Sequence, residues 1–198
     1  MPRVVPGYKE EAKSRILESA KQIFDEKGYR QATMDDIARK MGVSKGALYL
    51  YFASKEELFD AICKTSPLAL KEILYSTFRE KTDPAESAVE FFDKMMAQYG
   101  SNFGLSFEIL SEASRNTQLK RVLKETEDEF TRVLVGFLQE GRKRGLVGED
   151  LDPRSLSHAL IALWNGLETM IVSGLSVAEA KRAWLEALRA MFMQSKTS

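Results

Sequence analysis

A single cysteine, Cys63, and a single histidine, His158, occur in the 198 residues. That scarcity excludes a disulfide within the chain and a zinc site built from Cys and His alone, so no metal is expected. No apolar run approaches the ~20 residues that span a bilayer, and no membrane partner is expected. The opening stretch MPRVVPGYKEE holds no apolar core of the kind that directs secretion, so a cytoplasmic location follows by default. The chain also lacks a Gly-rich phosphate loop, G-x-S-x-G and H-E-x-x-H, and its one histidine is a thin supply of general bases. An enzyme is therefore not expected, and no cofactor is called for. Net charge is missing too: 29 Lys and Arg balance 29 Asp and Glu. Nothing global then points to nucleic acid. Local placement decides, because each neutralised phosphate releases its counterions individually.

What the sequence does have is helical periodicity. Hydrophobic and charged fractions of 44% and 29% are those of an ordinary globular chain, large enough for a sizeable core. The most informative stretch is 33–58, TMDDIARKMGVSKGALYLYFASKEEL. Thr33 and Asp36 have capping-box spacing, and Ile37, Ala38 and Met41 follow on one face. Gly42 suits the left-handed residue that ends such a helix. Ser44 is a good N-cap for a second short helix carrying Lys45, Leu48, Tyr49 and Phe52, and Ser54 with Glu57 opens a third. Two helices joined by a short Gly-containing turn form a helix-turn-helix pattern. Between Asp36 and Glu56 the segment has no acidic residue, while Arg39, Lys40, Lys45 and Lys55 are present. Basic groups, Ser44 and the phenols of Tyr49 and Tyr51 thus cluster around the second helix, where phosphates want donors and positive charge.

Residues 12–60, and ILESAKQIFDEKGYRQATMDDIARKMGVSKGALYLYFASKEELF in particular, resemble the DNA-binding domain of the TetR family of transcriptional regulators. The resemblance implies an all-helical homodimer on a palindromic double-stranded DNA operator, released by a small molecule bound to the C-terminal domain. By position it implies that Thr33 touches phosphate and that Lys45, Gly46, Ala47 and Tyr49 face the groove or its backbone. Tyr51 and Lys55 would hold phosphates, and Tyr29 would plug the small core. Leu50 departs from the pattern, standing where many members carry histidine or another polar residue.

Before this segment, Arg3 lies in a tail with Pro2 and Pro6 and could serve as a minor-groove arm. A first helix is expected from Tyr8 to Lys27, with Ile16, Leu17, Ala20, Ile23 and Phe24 buried and Gly28 ending it. After it, Leu58, Phe59, Ile62 and Cys63 share an apolar face. Ser66-Pro67 breaks the pattern, which places a domain junction there and makes the interrupted helix a possible relay. Asp83-Pro84 and Asp152-Pro153 each read as cap plus proline. Thr117 can cap a long helix to Arg144, and Ser176 with Glu179 opens the last. The expected fold is all-α, with about nine helices: a three-helix DNA-binding domain over 1–65 and a helical ligand-binding and dimerisation domain over 66–198.

Two further patterns bear on function. Ala159, Ala162, Gly166, Thr169 and Ser173 recur at three and four along one helix, and Ala180, Ala183, Ala187 and Ala190 along the last. Small side chains let helix axes approach, so a four-helix interface between two chains is expected. A ligand site is sought among Phe92, Met95, Met96, Tyr99, Phe103, Phe107, Phe137, Trp164 and Met170, with Asn165 and Glu168 as polar anchors. The same residues could equally form a plain core. A lipophilic effector, neutral or weakly basic, or an acyl derivative, fits such a lining. The leading reading is a ligand-responsive transcriptional repressor; the alternatives are a constitutive helical DNA-binding or adaptor protein and, less well supported, a helical enzyme.

Overall fold

The computed structural model describes residues 8–78, 83–100 and 103–192; Arg3 and its arm lie outside these. All regular structure among them is helical: α1 Tyr8–Gln31, α2 Met34–Met41, α3 Lys45–Tyr49, α4 Lys55–Cys63, α5 Ser66–Phe78, α6 Pro84–Tyr99, α7 Phe103–Ala113, α8 Thr117–Lys143, α9 Pro153–Val172 and α10 Val177–Phe192. None of these is long and apolar enough to cross a membrane.

Packing divides the chain into two units. The first runs up to Thr65 and also takes in Leu105–Lys124; the second comprises Ser66–Gly104 and Glu125 onward. The head is therefore larger than the segment 1–65 read from the sequence. Its core joins Ile16, Ala20, Ile23 and Phe24 of α1 to Ile37, Leu48, Leu58 and Phe59, and adds Ile109, Ala113, Leu119 and Val122 from α7 and α8. Phe24, Tyr29 and Phe59 meet in a ring cluster with centroids 5.3–6.3 Å apart. Cys63 is buried in the same core.

Local chemistry explains most helix ends. The first long helical run breaks at Gly28, as expected: the backbone turns there to φ 76, ψ 159, and one further helical turn, counted within α1, runs on to Gln31. Only a residue without Cβ adopts that angle cheaply. Pro67 lies in the first turn of α5, where a missing N–H costs nothing, rather than inside a bent helix. Asp83 and Asp152 cap α6 and α9 ahead of their prolines. α8 is capped one residue earlier than expected: the Asn116 side chain accepts from the Leu119 amide at 3.0 Å.

In the second unit α5, α6, α9, α10 and the later part of α8 close around Leu70, Leu74, Phe91, Phe92, Leu134, Leu167, Trp184 and Leu188. Trp184 stacks on Phe91 at 5.6 Å and donates its indole N–H to the Ala88 carbonyl at 3.2 Å, which satisfies a polar group that burial would otherwise penalise.

Candidate nucleic-acid interface

α3 is only five residues long, too short to persist on propagation alone. Neighbouring groups impose it. The Thr33 hydroxyl accepts from the Asp36 amide and the Asp36 carboxylate accepts from the Thr33 amide, a complete capping box for α2. Gly42 closes α2 at φ 68, with its amide on the Ala38 and Arg39 carbonyls. Ser44 Oγ then accepts from the Ala47 amide at 3.2 Å and starts α3. A cap of this kind contributes about 1 kcal/mol. Leu48, 1% exposed, pins the inner face of α3 into the head's core. The Ser54 hydroxyl caps α4, while Glu57 reaches the Ala53 amide instead of closing the box on Ser54.

With Leu48 turned inward, the opposite face is open. Thr33, Ser44, Lys45, Gly46 and Tyr49 are exposed, and Ala47 and Tyr51 are half-buried. Leu50, the departure noted in the sequence, is 81% exposed and extends that face beyond the end of α3. Lys55 is placed otherwise: its ammonium donates to the carbonyls of Tyr29 at 2.7 Å and Ala32 at 3.1 Å and lies 4.4 Å from the Tyr29 ring. Burial pushes its pKa down. A phosphate role for Lys55 would require giving up these bonds. Thr33 is similarly occupied, since its hydroxyl proton goes to Asp36 Oδ2 at 2.7 Å.

Charge at the interface is more balanced than the window 37–55 suggests. Lys45 pairs with Asp35 at 2.8 Å, Lys40 with Glu26 at 2.6 Å and Arg39 with Asp36 at 3.5 Å. The acids come from α1 and the first turn of α2, just outside that window. Asp35 raises the Lys45 pKa, first by hydrogen bonding and then by its charge. Asp36 is held down to about 2, chiefly by Lys27 and then by the Thr33 hydroxyl. The Lys45–Asp35 pair is exposed on both sides, 56% and 51%, so water and salt screen it. Exposed pairs contribute little, so phosphates or base edges can outcompete this one.

The other expected sites divide between the units. Phe92, Met95 and Phe103 are buried and Met96, Tyr99, Phe137 and Trp164 half-buried in the second unit. Trp164 meets Phe92 at 5.8 Å, Phe103 at 6.4 Å and Trp184 at 6.1 Å, all edge-on. Phe107 is not among them: it falls in the head, because α7 crosses from one unit to the other at Gly104. Glu168 accepts from the Trp164 indole N–H, and burial raises its pKa. Asn165 and Met170 are exposed. An open depression on α6 is lined by Glu86, Val89, Glu90, Asp93, Lys94 and Ala97, none of them an expected ligand residue. Along α9, Ala159, Ala162, Gly166, Thr169 and Ser173 are all exposed. On α10, Ala183 and Ala190 are exposed and Ala187 half-buried, whereas Ala180 is fully buried in the core of the second unit and leaves the stripe.

A short exposed helix, set against its neighbour by a glycine turn and joined to an all-helical body, defines a helix-turn-helix DNA-binding regulator. Comparison gives the family. Residues 16–62 match the bacterial regulatory proteins of the tetR family, and residues 84–193 match the C-terminal domain of BetI-type transcriptional repressors. The chain belongs to the TetR family of ligand-responsive, DNA-binding transcriptional regulators. It is 29% identical over 182 residues to the HTH-type transcriptional regulator UidR of Escherichia coli strain K12, covering 90% of each chain. A TetR-family regulator from Rhodococcus sp. shares the fold with a TM-score of 0.79 at 18% identity, over 92% of this chain and 99% of that one. So does FadR of Bacillus subtilis in complex with stearoyl-CoA, with a TM-score of 0.70 at 23% identity, over 88% and 96%.

Proposed function

We propose that the protein acts in the cytoplasm as a homodimeric repressor, holding a palindromic operator until a lipophilic molecule or acyl derivative binds its body. The observation that carries this reading is the outward face of α3: Lys45, Gly46 and Tyr49 are exposed on a helix that caps and a buried Leu48 fix in place, with exposed Leu50 just past its end. One such helix reads only a few base pairs, and two related by twofold symmetry multiply affinity and specificity. The exposed small-residue stripe of α9, with Ala183, Ala187 and Ala190 of α10, supports pairing of two chains. Aromatic and methionine side chains around Trp164 support a re-packable apolar site, with Glu168 as its polar anchor. The ligand-bound FadR relative is in keeping with an acyl effector. The effector acts by preferring the conformation that does not bind DNA, since equal affinity for both would shift nothing. Binding requires no reaction, and we read the chain as a regulator rather than an enzyme. The mutual packing of Phe92, Phe103, Trp164 and Trp184 favours, as a second reading, a DNA-binding protein with no effector.

Gly166→Trp tests the dimer cleanly. Gly166 is exposed and a Cβ there meets nothing within 4 Å, so its own backbone surroundings do not bar a side chain. The expected result is a folded monomer by sedimentation with operator binding lost in a mobility shift. An unchanged dimeric mass contradicts the interface. Long-chain acyl-CoA that releases the operator from wild-type protein supports the effector class; release by no apolar compound favours the second reading.

A further inference from the structure

The last turn of α1 is gripped from both ends by charged side chains of α7 and α4. Where Gly28 breaks the helix, the amides that follow need new acceptors. Glu108 of α7 supplies them: the Tyr29 amide donates to Oε2 at 2.9 Å and the Arg30 amide to Oε1 at 2.7 Å. At the other end of the turn Lys55 of α4 takes the carbonyls of Tyr29 and Ala32. An anion at the amide end and a cation at the carbonyl end is the polarity that peptide dipoles favour. A side chain at position 28 is barred twice, by φ 76 and because its Cβ would stand 2.5 Å from Glu108 Oε2. The turn leads directly into Thr33, the cap of α2, so its position sets where the helix-turn-helix begins.

The helix that carries Glu108 starts elsewhere. Phe103, at its first turn, belongs to the second unit and meets the Trp164 ring edge-on at 6.4 Å. Five residues on, Glu108 lies in the head. We propose that Glu108 is the positioning residue that couples body to head: displacement of α7 is passed to the 28–32 turn, and so to α2 and α3, through two charge-assisted hydrogen bonds. This deepens the regulatory reading and rests on it. Because the bonds are directional, a shift of the carboxylate by one ångström breaks or redirects them, whereas apolar packing would absorb it.

The chain has two tryptophans, which makes the coupling observable. Full-length protein labelled with 5-fluorotryptophan gives two fluorine resonances, assigned with Trp184→Phe. The probe is a duplex recovered from random DNA by the wild-type protein. Wild type should show a shifted Trp164 resonance on binding it. Glu108→Ala, folded by circular dichroism, should still bind the duplex but lose that shift. Gly28→Ala should lose it from the other side of the contact, and Glu108→Gln, which keeps one of two acceptors, should retain part of it. A purely structural Glu108 would lower the melting temperature and leave the full shift in Glu108→Ala; that result overturns the proposal, as does a wild type that binds DNA without moving Trp164. If Glu108→Ala does not fold, Glu108→Gln decides, with a full-sized shift overturning it. A wild type that binds no duplex in a mobility shift fails the regulatory reading itself, before any fluorine spectrum is taken, and the proposal falls with it.

Discussion

In the head, α2, α3 and α4 each start on a named hydroxyl, Thr33, Ser44 or Ser54, that accepts an amide three residues on. In the body, by contrast, α9 runs 20 residues, and side chains far apart in sequence hold its surroundings together. The Trp184 indole, for instance, bonds a carbonyl 96 residues earlier. Helices of five to nine residues cannot stand without caps, so their determinants are local. Long helices such as α9 carry caps as well, Asp152 among them, but draw most of their stability from whichever apolar face they bury. The motif helices of the head are thus short elements placed by polar contacts, whereas the body is a core of adaptable apolar side chains. That contrast suits a reading surface on one side and a ligand-responsive interior on the other.

The contrast can be tested by its energies. Trp184→Ala removes the centre of the body's core and should cost about 3–5 kcal/mol in urea denaturation. A loss below 1 kcal/mol would mean that the body does not depend on this packing. Leu48→Ala should cost about 2–4 kcal/mol and, by releasing α3, abolish operator binding even where the protein stays folded. Ser44→Ala should cost about 1 kcal/mol of stability, yet weaken operator binding more than any cap deletion in the body, such as Asp152→Ala. Equal effects on binding would erase the distinction between the two regions. Asp35→Asn releases Lys45 from its exposed pair and should tighten duplex binding by about twofold to fivefold while steepening its salt dependence. The smallest effect is in pH. Asp36 has an ordinary value of 3.8 and about 2 in the folded head, so its contribution is complete above about pH 4 and is lost as pH falls through 2. The difference in melting temperature between wild type and Asp36→Asn should close over that interval; a constant difference would detach the shift from the capping box.

What was legible in the sequence follows the same division. Thr33, Asp36, Gly42, Ser44 and Ser54 could be read because caps act over three residues, and the all-helical class followed from periodicity. The small-residue face of α9 was visible at three-and-four spacing. Three features of the head were hidden because their partners are distant: Ile109, Ala113, Leu119 and Val122 in its core, Glu108 on the turn after Gly28, and the use of Lys55 on backbone carbonyls. Of the acids that pair with Lys40 and Lys45, Glu26 lies outside the motif in sequence but beside it in space, and Asp35 stands in the first turn of α2, ten residues before its partner. Ala180 matched the stripe's spacing yet faces inward, since periodicity gives a face and not its direction.

Parallel selection from random duplex DNA by wild type and Lys45→Ala tests the central claim most directly. The account predicts that wild type enriches a twofold-symmetric sequence with half-sites a whole number of helical turns apart, and that Lys45→Ala enriches the same arrangement with one position per half-site degenerate. Enrichment of no sequence by wild type, or an identical motif from both proteins, would contradict it.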